Sequence, residues 1–286
     1  MSQYTPDIEL PRTYKKEEHP YIKFDRGCKL CELGERVQRH NEEQEKQPRA
    51  KYKQKEKVYS VGGAGPDNLN DVKLIILSDF PGHYESSESN CFPMVDILQN
   101  QETRKKGLLK PRNAGSFLRM ALSNMYNLNT YTDCWITNAV KCNPLEDTIK
   151  ESSHLKKCNS KWLANEFALL DDYCPTVPLL VAGTLAFKAL SNLYPESKTL
   201  LKEYGFNGSR RRSNLILGTG PISRGTVVTF NPARIARSEP RIESSISSKY
   251  KLSVTSNDWL YPPIPGSPVD LFIKDLRFLT PFLSCS

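Results

Sequence analysis

No apolar run in the 286 residues approaches the roughly 20 that a membrane-spanning helix requires. The opening stretch, MSQYTPDIELPRTYKKEEHP, also lacks the apolar core of a secretory signal. These absences lead to the expectation of an intracellular protein, in cytoplasm or nucleoid, with no membrane partner. In that setting the eight cysteines are not expected to form disulfides and read as metal ligands or buried thiols. Acidic residues are scarce in one region: Gly208 to Arg241 carries Arg210, Arg211, Arg212, Arg224, Arg234, Arg237 and Arg241 against Glu239 alone. Apolar residues are nearly missing from Glu35 to Lys57, which reads as a solvated helix or a charged insertion.

What is present is the composition of a folded domain, with 38% hydrophobic and 25% charged residues. The net charge of +8 suits a polyanionic partner, and the arginine-rich segment concentrates it into a surface fitted to DNA. The segments VKLIILS (Val72 to Ser78), CWITNAV (Cys134 to Val140), PLLVAG (Pro178 to Gly183) and GTVVTF (Gly225 to Phe230) are short, apolar and β-branched, as strands buried on both faces are. Helical patterns lie between them: AGSFLRMALSNMY after Asn113, SKWLANEFALLDDY from Ser160, and TLAFKALSNLY from Thr184. Alternating strands and helices imply right-handed crossovers. The fold class is therefore α/β: a three-layer sandwich around a central, mainly parallel, four-stranded sheet.

The chain divides into an N-terminal arm (1–27), a main domain (28–240) with the charged insertion at 35–57, and a C-terminal extension (241–286) expected to wrap the domain as extended chain. The insertion and the extension are the candidate contacts for a protein partner, and a monomer is expected. In open α/β sheets, ligands bind beyond the carboxyl ends of the strands. Here those ends carry Asp79 to Gly82, Asn138, Gly183 with Thr184, and Asn231 to Arg234.

Cys28 and Cys31 form a C-x2-C pair, and Cys142 and Cys158 lie in KCNPLEDTIKESSHLKKC. Two such pairs can close a four-thiolate shell around zinc or an iron–sulfur cluster. Cys91, Cys134, Cys174 and Cys285 lack this spacing, and Cys134 reads as core.

The succession CKLCELGERV, VGGAGPDNLNDVKLIILSDFPG, RNAGSFLRMAL, CWITNAVKCNP, Cys158, PLLVAGTLAFKAL and VVTFNPARIAR resembles the iron–sulfur uracil-DNA glycosylases, often called family 4. The resemblance runs from Cys28 to Arg237. It implies a structural 4Fe-4S cluster on Cys28, Cys31, Cys142 and Cys158, with zinc as the alternative. It implies that Asn138 reads an extruded base, a task that suits an amide because its carbonyl and NH2 can match acceptor and donor along a pyrimidine edge.

The motifs also depart from the family. Its first motif is commonly Gly-Glu-Ala-Pro-Gly, and here it is Ser78-Asp79-Phe80-Pro81-Gly82. Asp79 keeps the carboxylate one methylene shorter and is the candidate for orienting water or stabilising a sugar cation. Phe80 replaces a small or polar residue, and Gly82 leaves open a side that stricter enzymes close with an aromatic. The second motif usually begins His-Pro, and here Asn231-Pro232 stands in its place, with Asn231 the candidate donor to the departing base. Phe92 is the candidate for stacking on that base. Arg210, Arg211, Arg212, Arg234 and Arg237 are candidates for DNA contact. The resemblance implies a DNA glycosylase that flips a pyrimidine and hydrolyses its N-glycosidic bond. The altered motifs keep a second reading open, a DNA-binding accessory subunit of a replication or transcription complex.

Overall fold

The computed structural model describes residues 27–46, 57–87, 93–94, 114–145, 151–194, 206–207, 210–211, 215–216, 224–233 and 268–283. Its strands are β1 (Leu74–Ser78), β2 (Cys134–Asn138), β3 (Leu179–Ala182), β4 (Phe206–Asn207), β5 (Arg210–Arg211), β6 (Leu215–Ile216) and β7 (Thr226–Thr229). The main sheet runs in the order β2-β1-β3-β7-β6. Its first four strands are parallel, as the sequence pattern implies, and β6 adds a short antiparallel edge. The strands β4 and β5 form a separate hairpin.

Every residue of β1, β2, β3 and β7 is buried, because helices cover both faces. The helices are α1 (Glu32–Lys46), α2 (His83–Ser86), α3 (Ala114–Tyr126), α4 (Glu151–Cys158), α5 (Ala164–Tyr173), α6 (Thr184–Leu193), α7 (Pro268–Leu276) and α8 (Thr280–Leu283). One face of the sheet presents Ile75, Leu77, Trp135 and Val181 to α1, α4, α5 and α6, through Val37, Leu155, Phe167 and Leu190. The other presents Leu74, Ile76, Ile136 and Leu180 to α3 and α7, through Phe117, Leu122, Phe272 and Leu276. The rings of Phe117 and Phe272 pack edge to face, with centroids 5.1 Å apart. Each such side chain contributes about 1.5–3 kcal/mol by leaving water. None of the described helices is long and apolar enough to cross a membrane.

Three expectations change. The C-terminal extension is not extended chain throughout: α7 and α8 are helical, and Phe272, Leu276 and Leu279 are fully buried against the sheet. Their i, i+4, i+7 spacing makes one apolar helical face. Arg224 is no part of a basic surface, since its guanidinium is buried and donates to the carbonyls of Leu170 and Val177 and to Asp171. The helix expected from Ser160 begins at Glu151 and passes through a π-turn at Asn159–Leu163 before α5. In the charged region α1 forms, with Leu33 and Val37 buried and the Asn41 amide bonded to both backbone polar groups of Val58.

The glycine-rich segment before β1 protects a sheet edge. Ala64 exchanges both backbone hydrogen bonds with Ile136 of β2, at 2.7 and 2.9 Å, so an edge that would otherwise be open is paired. Gly63 and Gly65 lie against Trp135 so closely that a Cβ at either would overlap the indole.

Candidate active site

The carboxyl ends of the parallel strands gather the polar residues. β1 ends on Ser78 and β2 on Asn138, directly paired in register. Asn138 is 0% exposed, and neither its Oδ1 nor its Nδ2 has a hydrogen-bond partner among the described residues. A buried amide left unpaired costs about 1–3 kcal/mol, so this strand tip carries recognition capacity that the fold itself does not use.

Asp79, the next residue after β1, reaches the other way. Its Oδ1 accepts the Ala186 N–H at 2.9 Å and its Oδ2 accepts Nδ2 of Asn231 at 2.9 Å. Ala186 lies in the first turn of α6, whose N-cap is Gly183 with no capping side chain. Asp79 therefore caps α6 from a neighbouring strand, where the helix's unsatisfied N–H groups favour negative charge. Gly183 has φ +127°, and a Cβ there would overlap the Asp79 carboxylate. Only glycine lets the backbone pass this close. Asn231 is held at its other end as well, because Oδ1 accepts the Ala233 N–H at 2.8 Å.

Phe80 follows Asp79 and is 36% exposed at the rim. Gly82 is exposed, and the space its missing side chain leaves is bounded by the Glu85 carboxylate, 3.1 Å from where a Cβ would stand. Glu85 accepts the N–H groups of Gly82 and, at 2.5 Å, Met94. Burial raises its pKa to about 7, against the lowering effect of those two donors and of the Arg119 charge. Arg119 closes the group from behind, donating to the Met94 carbonyl at 2.7 Å and to Thr130 at 2.6 Å while stacked on the Tyr131 ring.

The four cysteines of the paired motif are all buried and unbridged. The Cys142 thiol is pushed up by burial, is hydrogen-bonded to Ser60 Oγ at 3.1 Å, and feels repulsion from Cys158, Cys28 and Cys31. Cys158 is raised to about 11 by burial, opposed by the Lys141 backbone N–H and ammonium, with Cys31 and Cys28 again raising it. The four sulfurs thus lie within electrostatic reach of one another. Among the described residues, however, no group of three or more His, Cys, Asp and Glu side chains is placed to hold a single metal ion.

Beside the thiols lies a buried ion pair. Lys141 Nζ is 2.9 Å from both Glu166 oxygens, and Glu166 also accepts Thr137 Oγ1 at 2.6 Å and the Gly63 N–H at 3.1 Å. Lys141 and Thr137 flank the tip of β2, so Glu166 fixes the segment that carries both Asn138 and Cys142.

Residues 66–253, about two thirds of the chain, match the family model of the uracil DNA glycosylase superfamily. The chain belongs to that superfamily. No curated protein matches the sequence. Superfamily membership supports a glycosylase-type hydrolase in general and makes DNA a plausible partner. The parallel sheet with helices on both faces is the superfamily's α/β fold.

Of the residues expected at a glycosylase site, Asp79 and Asn231 are in direct contact, and Asn138 shares their edge of the sheet. No hydrogen bond joins Asn138 to either, because it projects toward the α3 and α7 face while Asp79 turns to α6 on the opposite one. Phe92, Arg212, Arg234 and Arg237 lie outside the described residues, and the backbone of Arg210 and Arg211 forms β5. Sequence reasoning missed Glu85, Glu166 and Lys141. Glu85 accepts the N–H of Gly82 three residues before it, which is the acidic half of a helix-capping box, but glycine offers no side chain for the other half, so the sequence carried little signal for Glu85.

Proposed function

We propose that this protein is a DNA glycosylase that turns a pyrimidine out of DNA and hydrolyses its N-glycosidic bond. The observation that carries the reading is the unpartnered amide of Asn138 at the carboxyl edge of the sheet that also carries the Asp79 and Asn231 pair. A base laid over the end of β1 presents its Watson–Crick edge to Asn138 and its sugar bond toward the pair. As the bond between C1′ and the base nitrogen breaks, its electron pair leaves with the base. The second Nδ2 hydrogen of Asn231 is then available to the base oxygen that gains charge. The Asp79 carboxylate holds Asn231 in place and sets a negative charge near the developing sugar cation. Water adds to C1′, and its proton goes to the departing base. Extrusion costs a few kcal/mol, offset by contacts of the basic chain with phosphates, for which Arg210, Arg211, Arg212, Arg234 and Arg237 are the proposed donors. Phe80, Gly82 and Phe92 are proposed to line the base pocket.

Cys28, Cys31, Cys142 and Cys158 are the proposed ligands of a 4Fe-4S cluster. In support, all four thiols are buried, and burial holds Cys142 and Cys158 toward the protonated form, which a bound cation would reverse. A zinc ion needs four sulfurs converging to about 2.3 Å from one centre. In a cluster each thiolate instead takes its own iron, and the resemblance of the four-cysteine spacing to the iron–sulfur glycosylases favours the cluster. It would brace the loop after β2 and take no part in bond cleavage. Broad absorbance at roughly 400 nm in anaerobically purified protein checks it.

The decisive experiment is single-turnover base release from duplexes carrying uracil, thymine opposite guanine, or hydroxymethylated pyrimidines, using wild type and Asn138→Ala. Wild type releases at least one of these bases. Asn138→Ala loses rate by about two orders of magnitude or more, yet gains up to about 1 kcal/mol in stability because an unmet amide is gone. No abasic product from any duplex would sink the enzymatic reading.

One observation favours the second reading, a DNA-binding accessory subunit: both Asp79 oxygens are already engaged, by α6 and by Asn231. Asp79→Asn separates the two. In the enzyme, base release collapses while DNA affinity persists; in the binder, neither changes.

A further inference from the structure

Asn138 is not the only unmet polar group at the carboxyl edge. Ser78 is 0% exposed, and its Oγ has no hydrogen-bond partner among the described residues. Ser78 and Asn138 are register partners on adjacent parallel strands. Such partners project from the same face of a sheet, about 4.8 Å apart. The packing agrees, since Leu74 and Ile76 of β1 share a cluster with Cys134 and Ile136 of β2. Beyond Ser78 the same rung continues with Ala182, which neither donates nor accepts, and then Thr229, whose hydroxyl donates to Asp275 at 2.8 Å. Three vacant polar atoms thus lie together: two on the amide and one hydroxyl. The rest of β1 is Leu-Ile-Ile-Leu. A fold that needed only packing would be served better by a methyl at position 78, because an unmet buried hydroxyl is destabilising.

We propose that Ser78 is a second base-reading group beside Asn138, and that the base is a pyrimidine with a polar substituent at C5, of which hydroxymethyl is the representative. A uracil-type edge offers a donor at N3 and an acceptor at O4, which answer the two amide atoms. The third vacant group then needs a polar atom next to that edge, and C5 is the ring carbon adjacent to C4. A hydroxyl both donates and accepts, so it can pair with a hydroxymethyl in either sense. Plain uracil has only a C–H there and leaves Ser78 as unmet in the complex as in the free protein. The inference rests on the base-release reading above and names the substrate class for the same pocket.

The test uses the full chain as wild type, Ser78→Ala and Ser78→Gly. Single-turnover release is measured on duplexes carrying uracil or 5-hydroxymethyluracil in one sequence context. Equilibrium affinity is measured on the same duplexes with a 2′-fluoro sugar at the target, which resists cleavage. Wild type should favour the hydroxymethylated base by about tenfold, the worth of one hydrogen bond. Both variants should bring the two bases within about twofold, and Ser78→Ala should melt at or above the wild-type temperature. No preference in wild type, a preference that survives both substitutions, or equal loss on both bases overturns the proposal. So does a lowered melting temperature with both bases lost together, because the hydroxyl is then structural. If no duplex releases its base, the base-release reading fails, and the affinity measurement still decides the role of Ser78.

Discussion

Asp79 is one methylene shorter than the glutamate of the motif it resembles, and its surroundings supply a reason. Gly183 passes so close to the carboxylate that even a Cβ would not fit, and both oxygens are aligned on fixed N–H groups. A longer acid would have to leave one of those partners. Glu85 is the other carboxylate of the edge, and its environment acts in the opposite direction. With its pKa raised from 4.5 to about 7 by burial, the folded protein holds a proton there that the unfolded chain releases. The stability Glu85 contributes is therefore complete below the unfolded value and is lost as pH rises through about 7. Glu85→Gln should flatten this slope. Denaturant midpoints at about pH 5 and about pH 8 should fall for wild type and hold nearly level for the variant, other groups being common to both. The placement of Asn138, Asp79 and Asn231 at the strand ends was legible in the sequence, because apolar runs mark the strands that they follow or close. The weight of Glu85 and the vacancy at Ser78 were not, since both depend on what lies within a few ångströms after folding.

Helices α4 and α5 show an element built around one extra residue. Cys158 and Glu166 are eight positions apart, which in an uninterrupted α-helix puts them about 80° apart around the axis. The π-turn at Asn159–Leu163 takes up roughly one residue and brings them to within about 20°. The same helical face can then offer a thiol to the cysteine group and a carboxylate to Lys141, while the Asn159 amide anchors the turn to the Ala189 carbonyl of α6. Glu166→Gln should cost about 3–5 kcal/mol by leaving a buried ammonium without its counter-charge. Glu166→Gln with Lys141→Met should recover much of that loss, and equilibrium unfolding of the single and double variants measures the recovery. None of this was readable in advance. The four parallel strands announced themselves through continuous apolar runs, but a π-turn leaves no periodicity of its own, and a buried lysine looks in sequence like any surface lysine.

Across the whole molecule, the layer formed by α7 and α8 closes one side of the sheet. Phe272, Leu276 and Leu279 fill it, and Asp275 reaches Thr229 at the end of β7, two residues before Asn231. Removing residues 268–283 would delete these three buried side chains, each worth about 1.5–3 kcal/mol of burial, and would bare the apolar face they cover, including Ile76, Leu180 and Phe117, against the 5–15 kcal/mol that holds a typical domain together. The truncated chain should lose its near-ultraviolet circular dichroism and bind a hydrophobic dye. The segment misled sequence reading because the prolines before Pro268 suggested extended chain, while the apolar spacing after it was already helical.

The edge where the strands end is chemically lopsided. Around Asp79 each acceptor already has its donor, while around Asn138 and Ser78 the capacity is vacant among the described residues. A flat heterocycle that bound there would find unmet hydrogen-bonding capacity on one flank only, so hydrogen-bond demand would set its heading. A ring that entered back to front would gain nothing from the occupied half and would leave the vacant half dry.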